Sequence, residues 1–138
     1  LDLLNNWVQN RLRALPDGRV EEFLYNLEME RKAIQRAIAL YDELHLEGLS
    51  LFIDGRLEGF TFGERLNRDV ANVLIEKTNF NIQGAAQYLF REFTKVFADC
   101  TYINVGDDLG FENLRRVKMS YRPAMFGEKV ILRRPLPE

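Results

Sequence analysis

Apolar residues recur along this chain first at helical and then at strand spacing, and the switch falls after Gly48. Leu3, Leu4, Trp7, Val8 and Leu12 share one helical face, and Pro16-Asp17-Gly18 closes that segment with turn chemistry. From Arg19 to about Leu46 a second stripe runs through Val20, Phe23, Leu24, Leu27, Ile34, Ile38 and Tyr41. Glu30 and Arg31 interrupt it, which predicts either one kinked helix or two helices. Leu49 to Ile53 and Arg56 to Glu64, joined by Asp54-Gly55, then read as a β-hairpin, because Asp-Gly takes the positive φ angles of a tight primed turn. Phe60 and Phe62 fall on one face of the second strand, Thr61 and Gly63 on the other.

Asn67-Arg68-Asp69 predicts a further turn and Val70 to Lys77 a third strand. Gln83 to Phe97 reads as an amphipathic helix burying Ala86, Leu89, Phe90, Phe93, Val96 and Phe97. A strand at Thr101 to Asn104, a helix near Asp108 to Ser120 and a last strand at Phe126 to Arg133 complete the expected order. That order predicts an α+β domain with no internal repeat.

A chain of 138 residues with a hydrophobic fraction of 46% is long enough to bury one domain core. Its net charge of -2 argues against a globally basic nucleic-acid binder. No apolar run approaches the roughly 20 residues that cross a bilayer, and no signal peptide is seen, so a cytoplasmic location is expected. Cys100 is the only cysteine and His45 the only histidine, which leaves no Cys/His cluster for zinc and no G-x-S-x-G serine. No metal is therefore expected.

Charge is concentrated near the C-terminus: Arg115, Arg116, Lys118, Arg122, Lys129, Arg133 and Arg134 face a single acid, Glu128. The same region holds the densest polar motif, from Asn104 through Asp107 and Asp108 to Pro123. Short polar groups gather where a strand opens into a loop, the usual ligand position of open α/β sheets. Arg115, Lys118 and Arg122 follow at i, i+3 and i+7, on one helical face. Two readings stand: an anion-binding face, or a solvated helix with Glu112 paired to Arg115 or Arg116.

The pattern N…D-L-G…L-R…K-x-S-Y-x-P between Asn104 and Pro123 resembles the phosphatidylglycerol lysyltransferase C-terminal domain family. Ala33-Ile34 to Gly48, Asp54-Gly55 to Asn67, Ile75-Glu76-Lys77 and Gln83-Gly84-Ala85 are similar to it as well. The resemblance implies an acetyltransferase-like fold of the Gcn5-related kind, with a mixed, mostly antiparallel sheet flanked by helices. It also implies the C-terminal half of a tandem pair, with residues 1–18 as a helical lead-in, residues 19–138 as the domain, and a preceding acetyltransferase-like domain as partner.

By the same resemblance, the function is acyl or aminoacyl transfer, with acyl-CoA or aminoacyl-tRNA as donor. The alternative is a non-catalytic scaffold or binding half. Gln83, Gly84, Ala85 and Ala86 match the second part of the family-wide R/Q-x-x-G-x-G/A phosphate motif, although Asn81 stands where Arg or Gln is usual. Glu76 is the expected base, with Glu64 as a second candidate, and Tyr121 or Tyr102 returns the proton. Asn104, Asp107, Arg115, Lys118 and Arg122 are expected to hold the donor. Each has a structural alternative: Glu76 as ion-pair partner of Lys77, Tyr121 as a core residue, Asn104 as a loop cap, Gly84 and Ala86 as close-packing residues.

Overall fold

The structure, a computed structural model, describes residues 20–128 and 130–133 together with Leu3, Asn5, Val8 and Gln9. Those four early residues are helical, and the rest of the helix expected over 1–15 lies outside the described residues. The chain forms two compact units, Leu1–Gly106 and Asp107–Glu138.

In the first unit, helix α1 (Val20–Ala39) leads into a sheet of β1 (Glu47–Ile53), β2 (Arg56–Arg65), β3 (Val70–Thr78) and β4 (Tyr102–Asn104), with α2 (Ala85–Val96) between β3 and β4. The order is β1-β2-β3-β4; the first three strands are antiparallel and β4 is parallel to β3. Asp54 and Gly55 take φ values of 50° and 77°, as the primed turn requires. Asn67 closes the second turn, its Oδ1 accepting from the amides of Asp69 and Val70.

Helix α1 is continuous, so the division into two helices at Glu30 does not occur. Glu30 is on the inner stripe because a cation rises from the sheet to meet it: Lys77, only 7% exposed, has its Nζ 2.9 Å from Glu30 Oε1. The helix stops earlier than the apolar stripe suggests. The chain reverses through His45 at φ 51°, and the Leu46 amide donates back to the Tyr41 carbonyl. His45 is thus a turn residue.

Two apolar clusters sandwich the sheet. Ile34, Leu46 and Phe62, with Phe60, Tyr41 and Ile75, lie on the α1 side. Ala71, Phe93 and Phe97, with Leu49, Val73 and Ile103, lie on the α2 side. The face of α2 that packs is the i, i+4 ridge Ala85, Leu89, Phe93 and Phe97; Val96, expected in the core, is 36% exposed.

Ile75 and Val73 belong to opposite clusters although they are two residues apart, which regular alternation forbids. A β-bulge explains it. Phe62 pairs with Ile75 and Gly63 with Val73, so Leu74 is the extra residue of β3. Gly63 is required there, because a Cβ would lie 2.1 Å from the Asn72 carbonyl oxygen and 3.2 Å from the Phe93 ring.

In the second unit, α3 (Glu112–Ser120) is the regular element. The strand expected over Phe126 to Arg133 does not form: residues 126–128 and 130–133 are irregular, and Phe126, Ile131 and Leu132 are 77%, 69% and 92% exposed. A strand needs a ladder partner, and α3 offers none within its unit.

Gly63→Ala should cost about 2–4 kcal/mol, since the obstructing atom is backbone. Gly84→Ala meets nothing within 4 Å and should cost only about 1 kcal/mol, for its φ of +81°. Urea midpoints of the two variants check the difference.

Candidate functional site

Strands β3 and β4 run side by side only from Val70–Tyr102 to Asn72–Asn104. Beyond Asn72, β3 continues to Thr78 with no strand on that edge among the described residues. This parallel pair with its crossover helix opens at the carboxyl ends of its strands, and the helix that follows β3 starts there.

Glu76 sits on this open stretch of β3. It pairs with Thr61 across the ladder, and Gly59, two residues from Thr61, points at Leu89 of α2, so Glu76 faces the α2 side. Two potential partners are diverted from it. Lys77 is on the opposite face with Glu30. The Thr61 hydroxyl, 1% exposed as a residue, donates its proton to the Ile75 carbonyl at 2.9 Å. The bulge places apolar Ile75 on the other side. Glu76 Oε2 is consequently buried with no hydrogen-bond partner. Burial pushes its carboxyl up to about 7, where it exchanges a proton near neutrality. The expected Glu76–Lys77 ion pair is therefore not made.

The loop from β3 to α2 is held by Asn79, whose amide nitrogen donates to Glu58 Oε2 at 2.7 Å and whose Oδ1 accepts from the Asn81 amide. Gly84 precedes α2 in the left-handed region and no side chain caps the helix. The Ala85 amide is satisfied by the Ile82 carbonyl, and Tyr88 opens the helical ladder on the Gly84 carbonyl. The intervening amides of Ala86 and Gln87 meet no capping side chain. Gly84 is demanded by φ and not by crowding, since nothing lies within 4 Å of its would-be Cβ. The loop 79–84 carries no cationic side chain. An anion at this helix start would gain no charge partner from this segment.

Asn104 ends β4, and its Oδ1 accepts from the Gly106 amide at 2.9 Å, so its carbonyl oxygen acts as a loop cap. Glu64 is half-buried opposite Asn72, and Tyr102 is exposed.

In the second unit the acidic turn and cationic helix face bind each other. Asp107 and Asp108 cap the amides of Leu109 and Gly110, which take φ values of 53° and 75°. Arg115 Nε donates to Asp108 Oδ2 at 2.6 Å, replacing the expected pairing with Glu112. That guanidinium holds the Asp108 carboxyl below the usual carboxylate range. Lys118 Nζ donates to the Asp107 carbonyl at 2.7 Å, and burial lowers its pKa. Tyr121 closes α3 and Arg122 follows it at φ 53°. The motif is therefore first a self-bonded helix entry.

Residues missed from the sequence are Leu74, Thr61 and the Glu30–Lys77 pair. A glycine inside a strand, Gly63, was the available signal for the bulge. Another is the cluster in which Arg65 donates to Asp99 and to Cys100 Sγ, each at 2.9 Å, and lies over the Phe97 ring. Among the described residues there is no cluster able to hold a metal and no helix long and apolar enough to cross a membrane.

The fold is that of the Gcn5-related N-acetyltransferases. Aligned structures include a ribosomal-protein-alanine N-acetyltransferase from Brucella melitensis biovar Abortus 2308 (TM-score 0.51, 17% identity, 65% of this chain and 70% of that one). Another is the aminoglycoside N-acetyltransferase AAC(6')-Iy in complex with CoA (TM-score 0.55, 14% identity, 89% and 97%). At these identities the likeness concerns the fold. Within that class the chain belongs to the phosphatidylglycerol lysyltransferase C-terminal family, whose model matches residues 1–132. It is also similar to a conserved protein of unknown function from Bacteroides thetaiotaomicron VPI-5482 (31% identity, TM-score 0.75); 90% of this chain is covered, and it spans 40% of that protein. No curated protein matches it.

The folded-state pKa of Glu76, about 7, lies above its ordinary value of 4.5, so between these pH values the folded state holds a proton that the unfolded state has lost. Stability should fall as pH rises through that window, by up to about 2–3 kcal/mol after allowance for partial exposure. Glu76→Gln should flatten this dependence, matching the parent near pH 4.5 and exceeding it at pH 8. Urea unfolding across that range measures it.

Proposed function

We propose that this acyltransferase-like domain catalyses acyl or aminoacyl transfer, with Glu76 as general base. The observation that carries the reading is a half-buried carboxyl whose Oε2 is buried and unpartnered, its pKa pushed up to about 7 by burial, on the open stretch of β3 that leads into the uncapped start of α2. Neither a packing role nor an ion pair accounts for such a group. The donor's acyl group enters as an ester or thioester. The open β3 edge offers main-chain donors and acceptors to its extended arm, and the Ala86 and Gln87 amides receive its anionic part. Glu76 takes the proton of the attacking amine or hydroxyl as the acyl–oxygen or acyl–sulfur bond breaks, and Tyr102 returns a proton to the leaving atom. Asn104 serves donor binding in this reading; within the second unit, Asp107, Arg115, Lys118, Tyr121 and Arg122 are proposed by themselves as a group that receives an anion. The activity, donor and partners of the whole parent protein, including a preceding acetyltransferase-like domain, belong to the same proposal.

A second reading has one observation in its favour. Asn81 replaces the family's Arg or Gln and the loop 79–84 has no cation, as expected if this half binds or scaffolds and turnover lies elsewhere in the parent.

Thermal shift of the parent chain with CoA, acyl-CoA and charged tRNA separates the two. A donor at 100 times its dissociation constant should add about 2.7 kcal/mol to the stability of the wild type. Gly84→Asp, which places a carboxylate at the anion position, should abolish that gain. With that donor, Glu76→Gln should lower kcat roughly 100-fold or more and remove the pH limb near 7. Binding with turnover indifferent to Glu76 would favour the scaffold reading.

A further inference from the structure

We infer that Thr61 is a positioning residue for Glu76: its hydroxyl bonds the Ile75 carbonyl while the Glu76 carboxyl is protonated, and turns its proton to Glu76 when that carboxyl ionises. The coupling belongs to the ladder, and its bearing on turnover rests on the reading of Glu76 as base. Thr61 lies on β2, between β1 and β3, opposite Leu49 on one side and Glu76 on the other. It is 1% exposed, so bulk water is no partner for its hydroxyl. A hydroxyl has one proton to give. Two acceptors compete for it: the Ile75 carbonyl, at 2.9 Å, and the Glu76 carboxyl, whose Oε2 is buried without a partner.

Directly opposed residues of an antiparallel pair stand about 4.5–5.5 Å apart at Cβ. A threonine hydroxyl and a glutamate side chain close that gap by rotation between staggered wells. A neutral carboxyl leaves the hydroxyl with the carbonyl, whereas a carboxylate takes it, because hydrogen bonds to an ionised acceptor are about twice as strong as neutral ones. Among the described residues of the first unit, no charged side chain fills this role. Thr78, the next residue of β3 on this face, adjoins Gly59 and Leu89. Arg65 of β2 is held by Asp99 and Cys100, and Glu47 of β1 is exposed. On α2, Lys95 pairs with Glu92, while Tyr88 and Arg91 are exposed. Lys77 and Glu30 meet on the other face. Burial alone accordingly raises the Glu76 pKa, and Thr61 is the one donor opposite it.

Carbon NMR on the full-length parent, with labelled glutamate and threonine, tests this. Glu76→Gln identifies the Glu76 carboxyl signal. In the wild type the Thr61 Cβ signal should titrate with the same midpoint as that carboxyl. A Thr61 signal flat from about pH 5 to 9 would overturn the inference with no substitution at Thr61. Thr61→Val, which removes the donor, should raise the Glu76 midpoint by about one pH unit, and Thr61→Ser should keep it at the wild-type value. An unmoved midpoint in Thr61→Val would reduce Thr61 to a structural bond to Ile75 and overturn the inference, as would Thr61→Ser behaving like Thr61→Val. The pH limb of kcat should move with the midpoint in each variant. A midpoint that moves as expected while turnover stays indifferent to Glu76 upholds the coupling and sinks the base reading alone.

Discussion

The structure depends on one irregularity, the bulge at which Leu74 of β3 has no partner opposite the Phe62–Gly63 step. Before it, Ala71 and Val73 point at Phe93 and Phe97; after it, Ile75 points at Ile34 and Phe62. β2 does not switch, since Gly59 and Gly63 both point at α2. Without the extra residue, Glu76 would face α1 and Lys77 would lie beneath α2, among aromatic rings, far from Glu30. The bulge therefore makes the Lys77–Glu30 pair possible and leaves Glu76 in a place where no cation follows it.

That separation has an energetic logic. A buried lysine is tolerable only when paired, and Glu30 meets it from a partly exposed helix position. The carboxyl on the neighbouring residue has no such partner, and because the Thr61 proton is given to the Ile75 carbonyl, burial acts on Glu76 without compensation. Adjacent residues of one strand thus carry a structural ion pair on one face and a carboxyl whose pKa burial raises on the other. Such a group persists only where the surrounding packing holds it, and Gly63, with no room for a side chain, fixes the register that does so.

The motif that dominates the sequence, Asn104 to Pro123, has a different physical character. Asp108 is spent on Arg115, the Asp107 backbone carbonyl on Lys118, and both carboxylates on turn amides. A motif can be dense in charge because it must build a turn with two consecutive positive φ angles, at Leu109 and Gly110, before a helix. Any ligand role of Arg115 must be exercised by a guanidinium already oriented by a carboxylate.

Local chemistry made much of this protein legible from sequence. The Asp54-Gly55 hairpin, the Asn67 turn, the helix on the Leu89–Phe93 ridge and the family itself follow from residue type and short-range spacing, because turn φ values and amphipathic periods are set within a few residues. The candidate phosphate turn was visible for the same reason, since Gly84 answers a φ requirement at its own position. Tertiary structure alone decided the rest. α1 continues through Glu30 as one helix, and the lysine that meets Glu30 lies on a strand more than forty residues later, which no window along the helix contains. Residues 126–128 and 130–133 have the composition of a strand and form none among the described residues. Glu76 was recognisable as a candidate base, but its face, its burial and its unpartnered oxygen depend on a one-residue mismatch between two strands. Period-two alternation, read along either strand separately, cannot register it.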